Sequence, residues 1–168
     1  MEQPTNTPYS TTIDDLSELQ SYIGKELGLT EWMTMEQERI NQFAEATEDR
    51  QWIHIDQEKS ANFSPYKETV AHGFLVLSLA SKISYDAFSI KNIAMGVNYG
   101  LDKVRFPNAT KSGASLRGRV SLLECDPIPG GAKYKMKIVF ELKGEEKPAC
   151  VAEFIAIAYN APAQTIIN

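Results

Sequence analysis

Apolar and polar positions change their spacing several times along the chain, and each change marks a different kind of element. Leu16, Leu19 and Ile23 fall on one helical face behind Asp14 or Asp15, either of which suits an N-cap, and Gly24 stands just past the end. A second helix is predicted from Thr34, which has capping-box spacing to Gln37. It carries Ile40, Phe43, Ala44 and Thr47 at i, i+3, i+4 and i+7, and runs out at Glu48-Asp49. The stretch GFLVLSLASKIS, residues 73–84, leaves almost no polar face. A helix apolar nearly all round is a buried one, and this one would rise about 18 Å.

Period-two alternation then takes over. Strands are predicted around 93–99, 103–106, 115–124, 133–142 and 149–159. Within 133–142, Tyr134, Met136, Ile138, Phe140 and Leu142 share one face and mostly charged residues the other. DPIPGG (126–131) and KGEEK (143–147) read as turns, the latter built on Gly144. Ala152, Ala156 and Ala158 share a face with Phe154, which leaves room for a helix to approach. A buried helix followed by consecutive antiparallel strands predicts an α+β layout, with the sheet curled around the helix. Residues 1–12 read as a flexible leader, 13–160 as a single domain and 161–168 as a short tail.

Composition narrows the function. The chain has 168 residues, 43% hydrophobic and 23% charged, with a net charge of −5. That acidity argues against nonspecific nucleic-acid binding, which needs a basic face, but leaves room for a local basic pocket. No secretory signal and no membrane-spanning run is visible, so a cytoplasmic protein is expected. Cys125 and Cys150 lack CxxC spacing and read as buried reduced thiols.

The candidate chemistry gathers around two histidines. In QWIHID, His54 and Asp56 alternate with Ile53 and Ile55, which fits a strand edge with a solvated histidine. Asp49 meets His54 only if the chain bends through Arg50–Trp52. His72 and Gly73 stand where the apolar helix begins. A glycine there lets a ligand reach free backbone N–H groups, although a packing role explains Gly73 equally well. No HxxxH or HxH spacing is present, so no metal site is expected.

Taken together, Asp49-Arg50-Gln51-Trp52-Ile53-His54, then Ala71-His72-Gly73-Phe74-Leu75, resemble the MaoC-like dehydratase family, which includes the (R)-specific enoyl-CoA hydratases. Asn98-Tyr99-Gly100 and Lys103-Val104-Arg105-Phe106-Pro107 look like its nodulation-protein-N-like branch. The resemblance implies a hotdog fold, a homodimer and an acyl-CoA thioester substrate, with no cofactor. It implies Asp49 and His54 as the catalytic dyad and the Gly73 N–H as oxyanion donor. Gln51, Trp52 and His72 would line the substrate site, and Lys103 and Arg105, or Arg117 and Arg119, are candidates for the CoA phosphates. Two departures stand out. Glu48 occupies a position where the family has glycine, and Gln51-Trp52 replaces Asn-Pro. A noncatalytic acyl-thioester-binding module and a hotdog thioesterase are the alternatives.

Overall fold

The longest alternating runs form the heart of the sheet in the computed structural model, which describes residues 6–162. Strands β6 (Ser115–Ile128), β7 (Gly131–Leu142) and β8 (Cys150–Asn160) pair antiparallel in sequence order. Pairing of Ile128 with Gly131 carries both strands into the DPIPGG stretch, leaving a tight turn at Pro129-Gly130 with Gly130 at φ +75°. Tyr134, Met136, Ile138, Phe140 and Leu142 are all buried, as their spacing predicts. So are Ala152, Phe154, Ala156 and Ala158. The runs at 93–99 and 103–106 are one bulged strand, β5 (Ile93–Arg105), which pairs with β8.

Short strands complete the sheet: β1 (Tyr9–Ile13), β2 (Glu26–Leu29), β3 (Met33–Thr34) and β4 (Phe88–Ile90). The order is β4-β1-β2-β6-β7-β8-β5, with β3 attached to β6 and only β1–β4 parallel. The flexible leader read over 1–12 is corrected where it can be compared: Tyr9–Thr12 are strand, because β2 and β4 supply partners. Residues 1–5 of that leader and 163–168 of the tail lie outside the described residues.

The central helix and an opening 3-10 helix pack against the sheet. Leu16–Tyr22 is a 3-10 helix capped by Asp15, whose carboxylate accepts from the Ser17 N–H at 2.9 Å. It buries Leu16 and Leu19 but leaves Ile23 exposed. Helix α1 (Gln37–Thr47) begins after Glu36; Thr34 belongs to β3, and no capping box forms. Two short helices, α2 (Trp52–Ile55) and α3 (Gln57–Phe63), follow. The central helix consists of α4 (Gly73–Ser78) and α5 (Ala80–Ala87). They join at Leu79, whose N–H reaches the Val76 carbonyl at 3.2 Å while its own carbonyl accepts from Ile83 at 2.9 Å. Burial is one-sided. Leu75, Val76, Ala80, Ile83 and Ala87 face the sheet, whereas Phe74 is 73% and Tyr85 77% exposed. The expectation of a helix buried nearly all round is therefore corrected for its outer face. No described helix is long and apolar enough to cross a membrane.

Candidate active site

The QWIHID segment is not a strand edge. Glu48 ends α1 in the left-handed region, at φ +61° and ψ 10°, and this reverses the chain. Trp52–Ile55 then closes into one helical turn, held by His54 N–H to the Gln51 carbonyl (3.0 Å) and Asp56 N–H to the Trp52 carbonyl (2.9 Å). Asp56 does not face a ligand; it caps α3 by accepting from the Lys59 N–H at 2.8 Å. The turn drives His54 inward, to 7% exposure, and leaves Ile55 at the surface.

Gln37 clamps this turn. Its amide donates to the His54 carbonyl at 2.8 Å and its carbonyl oxygen accepts from the Thr69 hydroxyl. Neighbouring backbone bonds continue the lacing, with the Val70 N–H donating to the Ile53 carbonyl at 3.0 Å. Nothing in the Gln37 sequence context marks this role, because it depends on a partner 17 residues away.

Carbonyl partners settle the tautomers of both histidines, since a carbonyl only accepts. His54 Nδ1 lies 2.6 Å from the Val70 carbonyl, so Nδ1 carries the proton and Nε2 presents a lone pair. His72 Nε2 lies 2.9 Å from the Asp49 carbonyl and donates to it, which leaves Nδ1 as the acceptor. The two rings stack at 3.7 Å, and Phe43 packs against His72 at 5.0 Å. Burial pushes the His54 pKa below its ordinary value; the His72 ring adds to this, while the Val70 bond and Asp49 oppose it.

The Asp49 carboxylate is half-exposed and its Oδ2 stands 4.0 Å from His72 Nε2. Oxygen and ring nitrogens of Asp49, His54 and His72 all lie within 4.8 Å of one another. These are metal-type ligands, but the arrangement does not fit a metal. Rings only 25° from parallel send their in-plane lone pairs alongside each other rather than to a shared point. His72 Nε2 also already donates to Asp49. The set suits proton exchange instead.

His54 and Gly73 line one cavity of about 360 Å³, together with Val76, Phe106, Asn108 and Thr110. A Cβ on Gly73 would meet the Phe106 ring at 3.2 Å, so glycine keeps this corner open. As the first residue of α4, Gly73 has no intrahelical acceptor for its N–H. A second cavity, about 280 Å³ and bordered by Phe88, Val97, Met136 and Phe154, runs beside α5.

Other expected ligand contacts are placed differently. Gln51 and Trp52 are outside the lining of the His54 cavity, and Lys59 stacks on Trp52 at 5.0 Å. His72, only 3% exposed, supports Asp49 and His54 rather than facing the cavity. Lys103 is exposed and pairs with Glu153 at 2.8 Å, and the exposed Arg105 donates to the Val104 carbonyl. Arg117 and Arg119 are engaged by carboxylates: both bond Glu141 at 2.7 Å, and Arg119 also holds Glu26.

Known proteins resemble both the chain and its fold. A family model for the MaoC like domain matches residues 18–139. The 3-hydroxyacyl-thioester dehydratase Z of Mycobacterium tuberculosis is 37% identical over 145 residues, covering 86% of this chain and 95% of that protein. Nodulation protein N of Rhizobium leguminosarum bv. viciae is 42% identical over 145 residues, covering 84% and 89%. Among solved structures, the monoamine oxidase regulatory protein from Archaeoglobus fulgius superposes with a TM-score of 0.72 at 20% identity, over 90% of this chain and 97% of that one. The R-hydratase PhaJ1 from Pseudomonas aeruginosa gives 0.67 at 18% identity, over 93% and 97%. The α+β sheet curled on a central helix is thus a hotdog fold. With a family model spanning most of its length and relatives matched over nearly all of theirs, the chain belongs to the MaoC-like dehydratase family.

Proposed function

We propose that this protein reversibly hydrates trans-2-enoyl-CoA thioesters to (R)-3-hydroxyacyl-CoA, with Asp49 carrying the proton and His54 orienting the water. The observation that carries this is their convergence: a carboxylate oxygen of Asp49 and a ring nitrogen of His54 within 4.8 Å, beside a cavity that His54 shares with Gly73. Relatives named as a thioester dehydratase and an R-hydratase support the reaction class.

The chemistry follows from the tautomers. His54 Nε2 accepts a hydrogen bond from water and orients it, while Asp49 takes the water's proton as its oxygen bonds to C3 of the substrate. The C2–C3 π pair shifts to give an enolate, whose oxygen meets the Gly73 N–H. Asp49 then returns the proton to C2, so protons balance. Dehydration is the reverse. Lys103, paired with Glu153, and Arg105 are exposed on β5 just before Phe106 of the cavity wall and are the cations this reading offers to the CoA phosphates. The apolar cavity beside α5 offers a wall for longer acyl chains. A second copy of the chain completes the molecule.

The test is loss of enoyl-thioester absorbance with crotonyl-CoA and a longer enoyl-CoA, beside Asp49→Asn and His54→Ala. Turnover that falls by orders of magnitude in both variants supports the proposal; a folded parent with no turnover on either substrate overturns it. The half-exposed Asp49 and the left-handed Glu48 favour one other reading, a binding module. In that case Asp49→Asn keeps thioester affinity. Hydrolysis lacks support, because α4 and α5 carry no acid before Asp86, which is exposed and paired with Lys82.

A further inference from the structure

The mechanism uses Asp49 and His54, yet a third titratable side chain touches both. His72 is 3% exposed, at the N-cap of α4. Its Nε2–H donates to the Asp49 carbonyl at 2.9 Å, and its ring stacks on that of His54 at 3.7 Å. Phe43 also packs against it at 5.0 Å. The main chain around the ring is pinned. The Val76 N–H donates to the His72 carbonyl at 3.2 Å, and the Ala71 N–H donates to the Thr110 carbonyl at 2.7 Å.

Packing alone does not account for a histidine here. Its Nδ1 is buried without a hydrogen-bond partner among the described residues, and such an orphan costs stability. A phenylalanine would fill similar space against Phe43 and His54 and leave no orphan. What phenylalanine lacks is the N–H that reaches Asp49. We infer that His72 is a positioning residue for the hydration step, aiming the Asp49 carboxylate by holding the Asp49 backbone. The inference rests on the hydratase reading and adds a residue which that reading does not require. Asp49 follows the left-handed Glu48, and the Arg50 N–H turns back to the Glu48 carbonyl at 3.1 Å. The carboxylate is half-exposed, so its direction depends on the peptide group that carries it, and His72 holds that group. A shift of about 1 Å at a reacting group costs roughly 100-fold in rate.

The experiment compares His72→Phe, which keeps a ring and removes the donor, with His72→Gln, which keeps an N–H donor. Crotonyl-CoA kcat and KM and thermal unfolding are measured for each and for the parent. In His72→Phe we expect kcat to fall about 10- to 100-fold, while KM stays within a few-fold and Tm is not lowered. His72→Gln turns over several times faster than His72→Phe. A His72→Phe protein with parental kcat overturns the inference and leaves the hydratase reading intact. So does one whose lost activity comes with a lowered Tm, or appears in KM alone, because each marks a role other than aiming Asp49. A His72→Gln protein as slow as His72→Phe also overturns it, since the N–H is then not what aims the carboxylate. A folded parent with no turnover on crotonyl-CoA or a longer enoyl-CoA overturns the hydratase reading and the inference together.

Discussion

Glu48 stands at φ +61°, where an L side chain crowds its own backbone. The conformation costs about 1 kcal/mol relative to glycine, and it is what turns Asp49 back toward His72. Glu48→Gly relieves that crowding but adds freedom to the unfolded chain. The expected net gain is about 0.5 kcal/mol, or roughly 1–2 °C in Tm for a chain of this size. A lower Tm would mean that the Glu48 side chain makes a contact outweighing the strain. His54 gives a pH prediction. Burial, joined by the His72 ring, outweighs the Val70 bond and Asp49, so folded His54 holds its proton less tightly than the unfolded chain does. Above pH 6.5, the ordinary value, both states are neutral and stability is flat with respect to this group. As pH falls below it the unfolded state gains a proton first, and stability declines until the folded ring also titrates. His54→Gln should flatten the Tm profile below about pH 6.5. A ring that titrates at or above 6.5 by NMR would contradict the assigned neutral tautomer.

At the scale of elements, α5 and the sheet approach closely because two glycines allow it. A Cβ on Gly118 would lie 2.1 Å from Ile83 Cγ2, and one on Gly28 would lie 2.0 Å from the Ala87 carbonyl oxygen. Gly118→Ala should cost about 1–3 kcal/mol by overpacking, and Ile83→Ala about 2–5 kcal/mol by opening a cavity. Because each change makes room for the other, the double variant should cost at least 1 kcal/mol less than their sum. Urea unfolding of the four proteins measures this; additive costs would mean that helix and sheet are not in contact there. This packing shows which elements were legible in the sequence. Strands β6, β7 and β8 alternate for ten residues or more and bury one face, so period two is unmistakable. Strands β2 and β4 have four and three residues, too few to show a period. The Ile53–Asp56 stretch also misleads: four residues are too few to separate a helical turn from a strand by period, and the turn is selected by distant partners, the Gln37 amide and the Val70 backbone. The chain positions of Asp49 and His54 were legible through the family resemblance. The support from Gln37 and His72 was not, because it arises from contacts between distant segments.

For the whole molecule, β5 is the strand that the isolated chain leaves unexplained. It forms an edge of the sheet, pairing only with β8, and none of its thirteen residues is buried. Yet Met95, Val97, Tyr99 and Leu101 are large and apolar, and exposed Phe74 and Tyr85 extend the patch onto the central helix. A long apolar edge strand invites pairing, and natural proteins either protect such an edge or use it. A second copy presenting the same strand and helix face satisfies both needs, since a two-fold interface is self-complementary. The prediction is a mass by light scattering of twice the chain mass. Introducing like charges on facing copies, as Met95→Asp with Tyr99→Asp, should shift the protein to a monomer that keeps its far-ultraviolet dichroism. An interface on this face would run past Phe74 and Phe106, whose rings meet edge-on at 6.3 Å beside Gly73. Dissociation should therefore also lower thioester turnover, although neither substituted residue touches the Asp49–His54 pair. A parent that is monomeric at micromolar concentration would leave the exposed face of β5 without an occupant. A charged variant that remains dimeric would move the interface elsewhere on the molecule.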